Sequence, residues 1–273
     1  MKTKQTKLIE FKNRQGEILR GILTFSRYSN PQMVVMMAGF ERTATGEKKF
    51  KALADALVAE DIPSFRFDHT GIGLSDGDFS KINTAGLGDE LVRAVRAAKK
   101  KLSFESVAYF AHSLPPCIMA DEKKRNLFKK IIFMSPALNQ KELLRYWFTQ
   151  KEAKKIRPQT KITWKNYKKY LNENDFLEYC RQAQKMTKAH YVGSEYFLEN
   201  SRQDYSSRIS DSENILHIHG EKDEVVPLDS LNVKFKNRII VSDGDHDMER
   251  PDIISLWLAP AVNFLKGDKN LFV

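Results

Sequence analysis

Three residues could carry nucleophilic chemistry together: Ser113, Asp223 and His246. Ser113 lies in Ala111-His112-Ser113-Leu114-Pro115, where an apolar run ends abruptly and a helix is expected to start. Such a junction lifts a hydroxyl above a sheet and aims backbone N–H groups at a place where negative charge is stabilised. A serine hydroxyl is a weak nucleophile at neutral pH unless a base takes its proton. Serine also caps helices, so this position alone leaves nucleophile and cap both open. Asp223 follows His219-Gly220-Glu221-Lys222, and His246 follows Asp243-Gly244-Asp245. Each comes just past another short apolar run. A histidine placed there can accept the serine proton and later return it to a leaving group. An aspartate beside it can fix the imidazole tautomer and stabilise the imidazolium.

Those side chains can meet if the runs before them are parallel strands of one sheet. Residues 8–11 and 18–25 are β-rich and divided by the turn signal Asn13-Arg14-Gln15-Gly16, so they read as an opening hairpin. Residues 33–37 form a continuous apolar run of strand length, as a buried parallel strand should. Phe50, Leu53, Ala54, Leu57 and Val58 recur at helical spacing. Strands at 64–67, 107–111 and 131–134 then alternate with helices over 84–102 and from Leu114 to Ala120. Strands 215–218 and 238–241 and a helix over 251–265, opened by Pro251, complete the pattern. Alternation of this kind implies a parallel sheet with right-handed crossovers. Ligands gather beyond the carboxyl ends of such strands, where Ser113, Asp223 and His246 are all expected.

The alternation lapses over 138–213, which reads as helical and carries no convincing strand. The chain is therefore an α/β core, 1–137 and 214–273, interrupted by an α-helical insertion, 138–213. At 273 residues it is long enough to bury a sizeable core. The formal charge of +10 is concentrated: 141–169 holds ten Lys/Arg against two Asp/Glu, leaving +2 for the rest of the chain. That segment reads as a solvated helical face, not as a nucleic-acid site, because no recognition motif accompanies it. Two cysteines, Cys117 and Cys180, exclude a disulfide framework and a cysteine-built zinc site. No apolar run approaches the roughly 18 residues needed to span a bilayer. The stretch 1–16 is basic without an apolar centre, so no secretory signal is read and a cytoplasmic setting is the default expectation.

The chain resembles the α/β-hydrolase superfamily along nearly its whole length. Ser113, Asp223 and His246 follow that family's order. Asp68-His69-Thr70-Gly71-Ile72-Gly73-Leu74-Ser75-Asp76-Gly77 is similar to its D-x-x-G-x-G-x-S-x-G loop. His219-Gly220 with Asp223, Val226 and Pro227 is similar to its H-G-x-x-D-x-x-V-P, Gly244-Asp245-His246 to its G-x-H, and Ala38-Gly39-Phe40 to its H-G-x. The resemblance implies a mostly parallel central sheet with helices on both faces. It also implies a Ser113 nucleophile, a His246 base and an Asp223 orienting acid. The backbone N–H groups of Phe40 and Leu114 become the oxyanion hole, and 138–213 a helical cap. Serine at the elbow, where dehalogenases and epoxide hydrolases of this fold use aspartate, points to a serine carboxylesterase that needs no cofactor and no metal.

Three residues depart from the family pattern, of which Ala111, for the first elbow glycine, is a small-for-small change. Pro115 replaces the second elbow glycine and disfavours αR at Leu114, so a re-aimed Leu114 N–H is expected. Ala38 replaces the usual histidine of the oxyanion loop and removes its supporting hydrogen bonds. These departures keep a catalytically weak or silent binding protein open as a reading. The basic segment keeps open a thioesterase or acyltransferase for coenzyme A or acyl-carrier thioesters. Cap aromatics, Tyr146, Trp147, Phe148 and Trp164 among them, read first as the core of the cap, with some of them expected to line a pocket for a small-molecule ester. His69 and His112 read as flanking the site, His217 and His219 as at most structural, Asp68 as a loop brace, and Cys117 as a small core side chain.

Overall fold

The computed structural model describes residues 4–26, 31–156, 158–209 and 211–267. Residues 1–3 of the N-terminal stretch, Arg157 of the basic segment and Ser210 of the insertion lie outside the described residues. The chain opens with the antiparallel hairpin β1 (Gln5–Lys12) and β2 (Ile18–Phe25). It continues through β3 (Gln32–Met37), α1 (Lys48–Ala59), β4 (Ser64–Phe67), α2 (Thr84–Lys99) and β5 (Ser106–His112). A short α3 (Glu122–Arg125) leads to β6 (Lys130–Met134). The insertion holds α4 (Gln140–Ile156), α5 (Glu173–Arg181), β7 (Gln184–Met186), β8 (Tyr191–Gly193) and α6 (Ser194–Asn200). Then come β9 (Ile215–Gly220), β10 (Asn237–Val241) and α7 (Pro251–Lys266).

Eight strands form one sheet in the order β1-β2-β4-β3-β5-β6-β9-β10, parallel from β4 to β10. This is the α/β-hydrolase architecture the sequence implied. Successive side chains along a strand point to opposite faces, so each buried strand feeds two cores. Val34 and Met36 of β3 and Phe110 of β5 pack with Phe50 and Leu57 of α1 and with Trp257 of α7. Val35, Met37 and Tyr109 face the other way, against Leu87 and Leu91 of α2. Helices therefore cover both faces, and the near-continuous apolar runs of the strands follow from that burial. Pro251 opens α7 at its first turn, where its missing N–H costs no hydrogen bond.

Two elements differ from the sequence reading. The insertion contains a small antiparallel pair, β7 with β8. Each strand is three residues long and buries one side chain, Lys185 or Val192, so no alternating apolar run announced it. The expected helix at Leu114 is a 3₁₀ segment, Pro115–Ala120. Pro115 and Pro116 have no N–H, and the first backbone bond there runs from the Cys117 N–H to the Leu114 carbonyl, an i→i+3 bond.

Candidate active site

Because β5, β9 and β10 are parallel, their carboxyl ends lie on one edge of the sheet. Ser113 follows β5 directly, with φ +67, a left-handed conformation that a non-glycine residue adopts at a cost. The strained turn is held from both sides. The Ser113 N–H donates to the Met134 carbonyl at 3.0 Å, and the Ala137 N–H donates to the Ser113 carbonyl at 2.7 Å. Leu114 is in the αR region, φ −73 and ψ −45. The expected displacement of Leu114 by Pro115 is therefore not found. The turn accepts the proline by continuing as 3₁₀.

Asp223 stands three residues past β9, His246 five past β10. Their loops touch so closely that a Cβ on Gly220 would meet the Gly244 carbonyl oxygen at 2.3 Å. Backbone bonds from Glu221 to Val241 and from Lys222 to Gly244 fasten the two loops together. Asp223 Oδ1 accepts from the Val225 and Val226 N–H groups at 2.9 and 2.7 Å. Its Oδ2 accepts from His246 Nδ1 at 2.8 Å. His246 Nε2 in turn faces the Ser113 hydroxyl at 3.1 Å. The three side chains singled out by their types stand in one hydrogen-bonded row. Burial alone would raise the Asp223 carboxyl. Hydrogen bonds from His219 and His246 outweigh it and hold the group well below the usual carboxylate range. An ionised aspartate in this position fixes His246 as the Nδ1–H tautomer and leaves Nε2 free to take a proton.

The turn after β3 forms the facing wall. Gly39 lies against Ser113: a Cβ there would stand 2.7 Å from Ser113 Cβ and 3.3 Å from its Oγ. The Gly39 carbonyl accepts from the Arg42 N–H at 3.1 Å and from His69 Nε2 at 3.3 Å. In a trans peptide the Phe40 N–H points away from that carbonyl. Among the described residues the Phe40 and Leu114 N–H groups donate to no protein acceptor. Glu41, at φ +57, accepts from the Thr187 hydroxyl and from the Ala189 and His190 N–H groups, so the β7–β8 turn is tied to this loop.

The other residues named from the sequence fall around the row. His112 Nε2 donates to the His246 carbonyl at 2.9 Å, beneath the imidazole. Asp68 accepts from the Thr45 and Leu74 N–H groups and braces two loops. Cys117 Sγ contacts the Ala137 carbonyl in the core. Tyr146 Oη and Trp147 Nε1 donate to the Glu224 and Val225 carbonyls, next to Asp223. Phe148 packs on Phe176 and Tyr179 within the insertion, and Trp164 on Tyr146 and Tyr167. The insertion aromatic that reaches the turn after β3 is one the sequence did not mark, Tyr196, whose ring lies 5.0 Å from that of Phe40. Glu41 is likewise unmarked in the sequence, and the contact of Gly39 with Ser113 is not legible there, because both depend on neighbours distant in the chain. Two cavities of about 250 and 450 Å³ open elsewhere, one between His69 and the start of α2, the other beside Trp164 and Asp229. Neither is lined by Ser113, Asp223 or His246.

With this geometry described, comparison with known proteins is informative. A family model described as serine aminopeptidase, S33, matches residues 29–244. The chain belongs to that family of α/β hydrolases. No curated protein matches it in sequence. Among solved structures it is similar to Est1E from Butyrivibrio proteoclasticus with bound ferulic acid: TM-score 0.68, 17% identity, 95% of this chain and 98% of that one. It is also similar to mouse alpha/beta hydrolase domain-containing protein 10, at TM-score 0.67 and 14% identity over 96% of this chain and 99% of that one. A Pyrococcus furiosus esterase gives TM-score 0.67 and 14% identity over 96% and 91%. At these identities the likeness is one of fold. The family match makes the chain a hydrolase; the described residues include no helix long and apolar enough to cross a membrane.

Proposed function

We propose that the protein hydrolyses carboxylic esters through an acyl-enzyme on Ser113. The observation that carries this reading is the unbroken row from Asp223 through His246 to Ser113, at 2.8 and 3.1 Å. In the first half-reaction His246 Nε2 takes the Ser113 proton as Oγ bonds to the ester carbonyl carbon. The carbonyl oxygen becomes negative and is held by the Phe40 and Leu114 N–H groups. The tetrahedral adduct collapses, the C–O bond to the alcohol breaks, and His246 returns its proton to the departing alkoxide. Water then repeats the sequence: His246 deprotonates it, the acyl–Oγ bond breaks, and Ser113 regains its proton. Asp223 stays ionised and stabilises the imidazolium in both halves.

The insertion, 138–213, acts as the cap in this reading. Its contacts support that role, since it holds the oxyanion-side turn through Glu41 and Tyr196 and the acid loop through Tyr146 and Trp147. Tyr146, Trp147, Phe148 and Trp164 belong to the segment that would wall the acyl or aryl group. Est1E, with its bound ferulic acid, makes aromatic acids a natural first choice of acyl group.

The test is a matched panel: the p-nitrophenyl ester, the coenzyme A thioester and the amide of one acyl group, with an aminoacyl anilide. Ester turnover should exceed the others and be lost in Ser113→Ala and His246→Ala. Selective thioester turnover would replace the esterase reading with a thioesterase. Selective anilide turnover would replace it with a peptidase, and turnover surviving Ser113→Ala would remove the mechanism.

A further inference from the structure

His217 and His219 are two residues apart on β9, so both side chains leave the sheet on one face. Both are almost fully buried. His219 Nε2 meets two groups: the Val226 carbonyl oxygen at 2.8 Å and Asp223 Oδ2 at 3.3 Å. A carbonyl and an ionised carboxylate can only accept, so Nε2 must carry a proton. With a single ring proton on Nε2, Nδ1 is bare, and it lies 2.9 Å from His217 Nε2. His217 must donate there. With one proton on each ring these partners set both tautomers: His217 donates to His219, and His219 donates to the Val226 carbonyl beside Asp223.

Asp223 Oδ2 is consequently shared. It accepts from His246 Nδ1 on one side and lies 3.3 Å from His219 Nε2 on the other, whose N–H goes to the Val226 carbonyl, while Oδ1 is taken by two backbone N–H groups. We propose that His219, held in its tautomer by His217, is a positioning residue that aims Asp223 Oδ2 at His246 and draws off part of its acceptor strength. This deepens the esterase reading and rests on it. A carboxylate oxygen that also faces a second N–H stabilises the imidazolium less. Other ionisable groups face the row and are unchanged by the test below. His112 lies under the His246 ring, Tyr146 and Glu224 border the acid loop, Arg238 acts on His217, and Asp247 beside His246 is paired with Arg42.

The test compares His219→Leu, which removes the donor, with His219→Gln, whose amide N–H can reach the same place. His219→Asn, too short to reach Asp223, serves if the leucine variant does not fold. Two readouts are taken: the acid limb of kcat/KM for ester hydrolysis, and the titration of His246 followed by imidazole nitrogen NMR, which needs no turnover. In His219→Leu or His219→Asn both should move up by roughly half to one pH unit, while His219→Gln stays near wild type. A uniform loss of rate with no movement of the limb or of the His246 titration would reduce His219 to a packing residue and overturn the proposal. Equal shifts in all variants would also overturn it, since the donor would not be the cause. If the His246 titration moves as stated but no ester is hydrolysed, the esterase reading fails and the positioning role stands.

Discussion

Replacing Gly39 by alanine puts a methyl group against the nucleophile. Its Cβ would stand 2.7 Å from Ser113 Cβ and 3.2 Å from the His112 carbonyl oxygen, whereas ordinary contact begins at 3.4 Å. About 0.7 Å must therefore be found along the Cβ–Cβ direction. Ser113 cannot readily supply it, because its strained φ is held by the Met134 and Ala137 hydrogen bonds. The turn carrying Gly39 and Phe40 moves instead, and the Phe40 N–H moves with it. A misplacement near 1 Å costs about 100-fold in rate, and complete loss of one oxyanion donor about 100- to 1,000-fold. Gly39→Ala should therefore lower kcat for a p-nitrophenyl ester by about 100-fold or more, with KM changed only a few-fold. Steady-state kinetics with a thermal melt on the same sample measures this. A folded variant with kcat within roughly threefold of wild type would refute the placement of Gly39 and the oxyanion role of Phe40.

Glu90 offers a stability test independent of turnover. Burial pushes its carboxyl from 4.5 up to about 7; hydrogen bonds from Thr70 oppose the rise, and Asp89 and Glu17 add to it. A folded value above the unfolded one means that stability falls as pH rises from about 4.5 to 7, with the full cost of about 3 kcal/mol present above that window. Urea unfolding near pH 5 and pH 8 should show Glu90→Gln gaining on wild type at the higher pH; parallel stabilities would contradict this. Pro115→Gly should leave kcat within roughly threefold, because Leu114 is already in the αR region, and should lower stability by about 1 kcal/mol through the freer unfolded chain. A tenfold rise in its kcat would mean that the native proline mis-aims the Leu114 N–H.

Much of the core was legible because buried parallel strands must be apolar throughout and their helices must show one apolar face. The strand ends before Ser113, Asp223 and His246 were readable for the same reason. What was not legible depended on neighbours far apart in the chain. The pair β7 and β8 buries one residue per strand, too little for a pattern. Pro115 was read through its local bias, yet the hydrogen bonds from Ser113 to Met134 and from Ala137 to Ser113 outweigh that bias. The two-residue spacing of His217 and His219 puts them on one face, but nothing local indicates that Asp223 lies beside them. Nor does anything local show that His69, from another strand end, donates to the Gly39 carbonyl. The basic segment is partly neutralised within the fold, since Lys161 and Arg145 pair with Glu224 and Glu173, carboxylates from outside it.

The central claim is that Ser113 is a nucleophile activated by His246. Incubation with a fluorophosphonate followed by peptide mass spectrometry tests it most directly. The adduct should fall on Ser113 alone, and His246→Ala should slow its formation by about 1,000-fold or more while the fold persists. An adduct on another residue, or labelling of Ser113 at an undiminished rate without His246, would contradict the account.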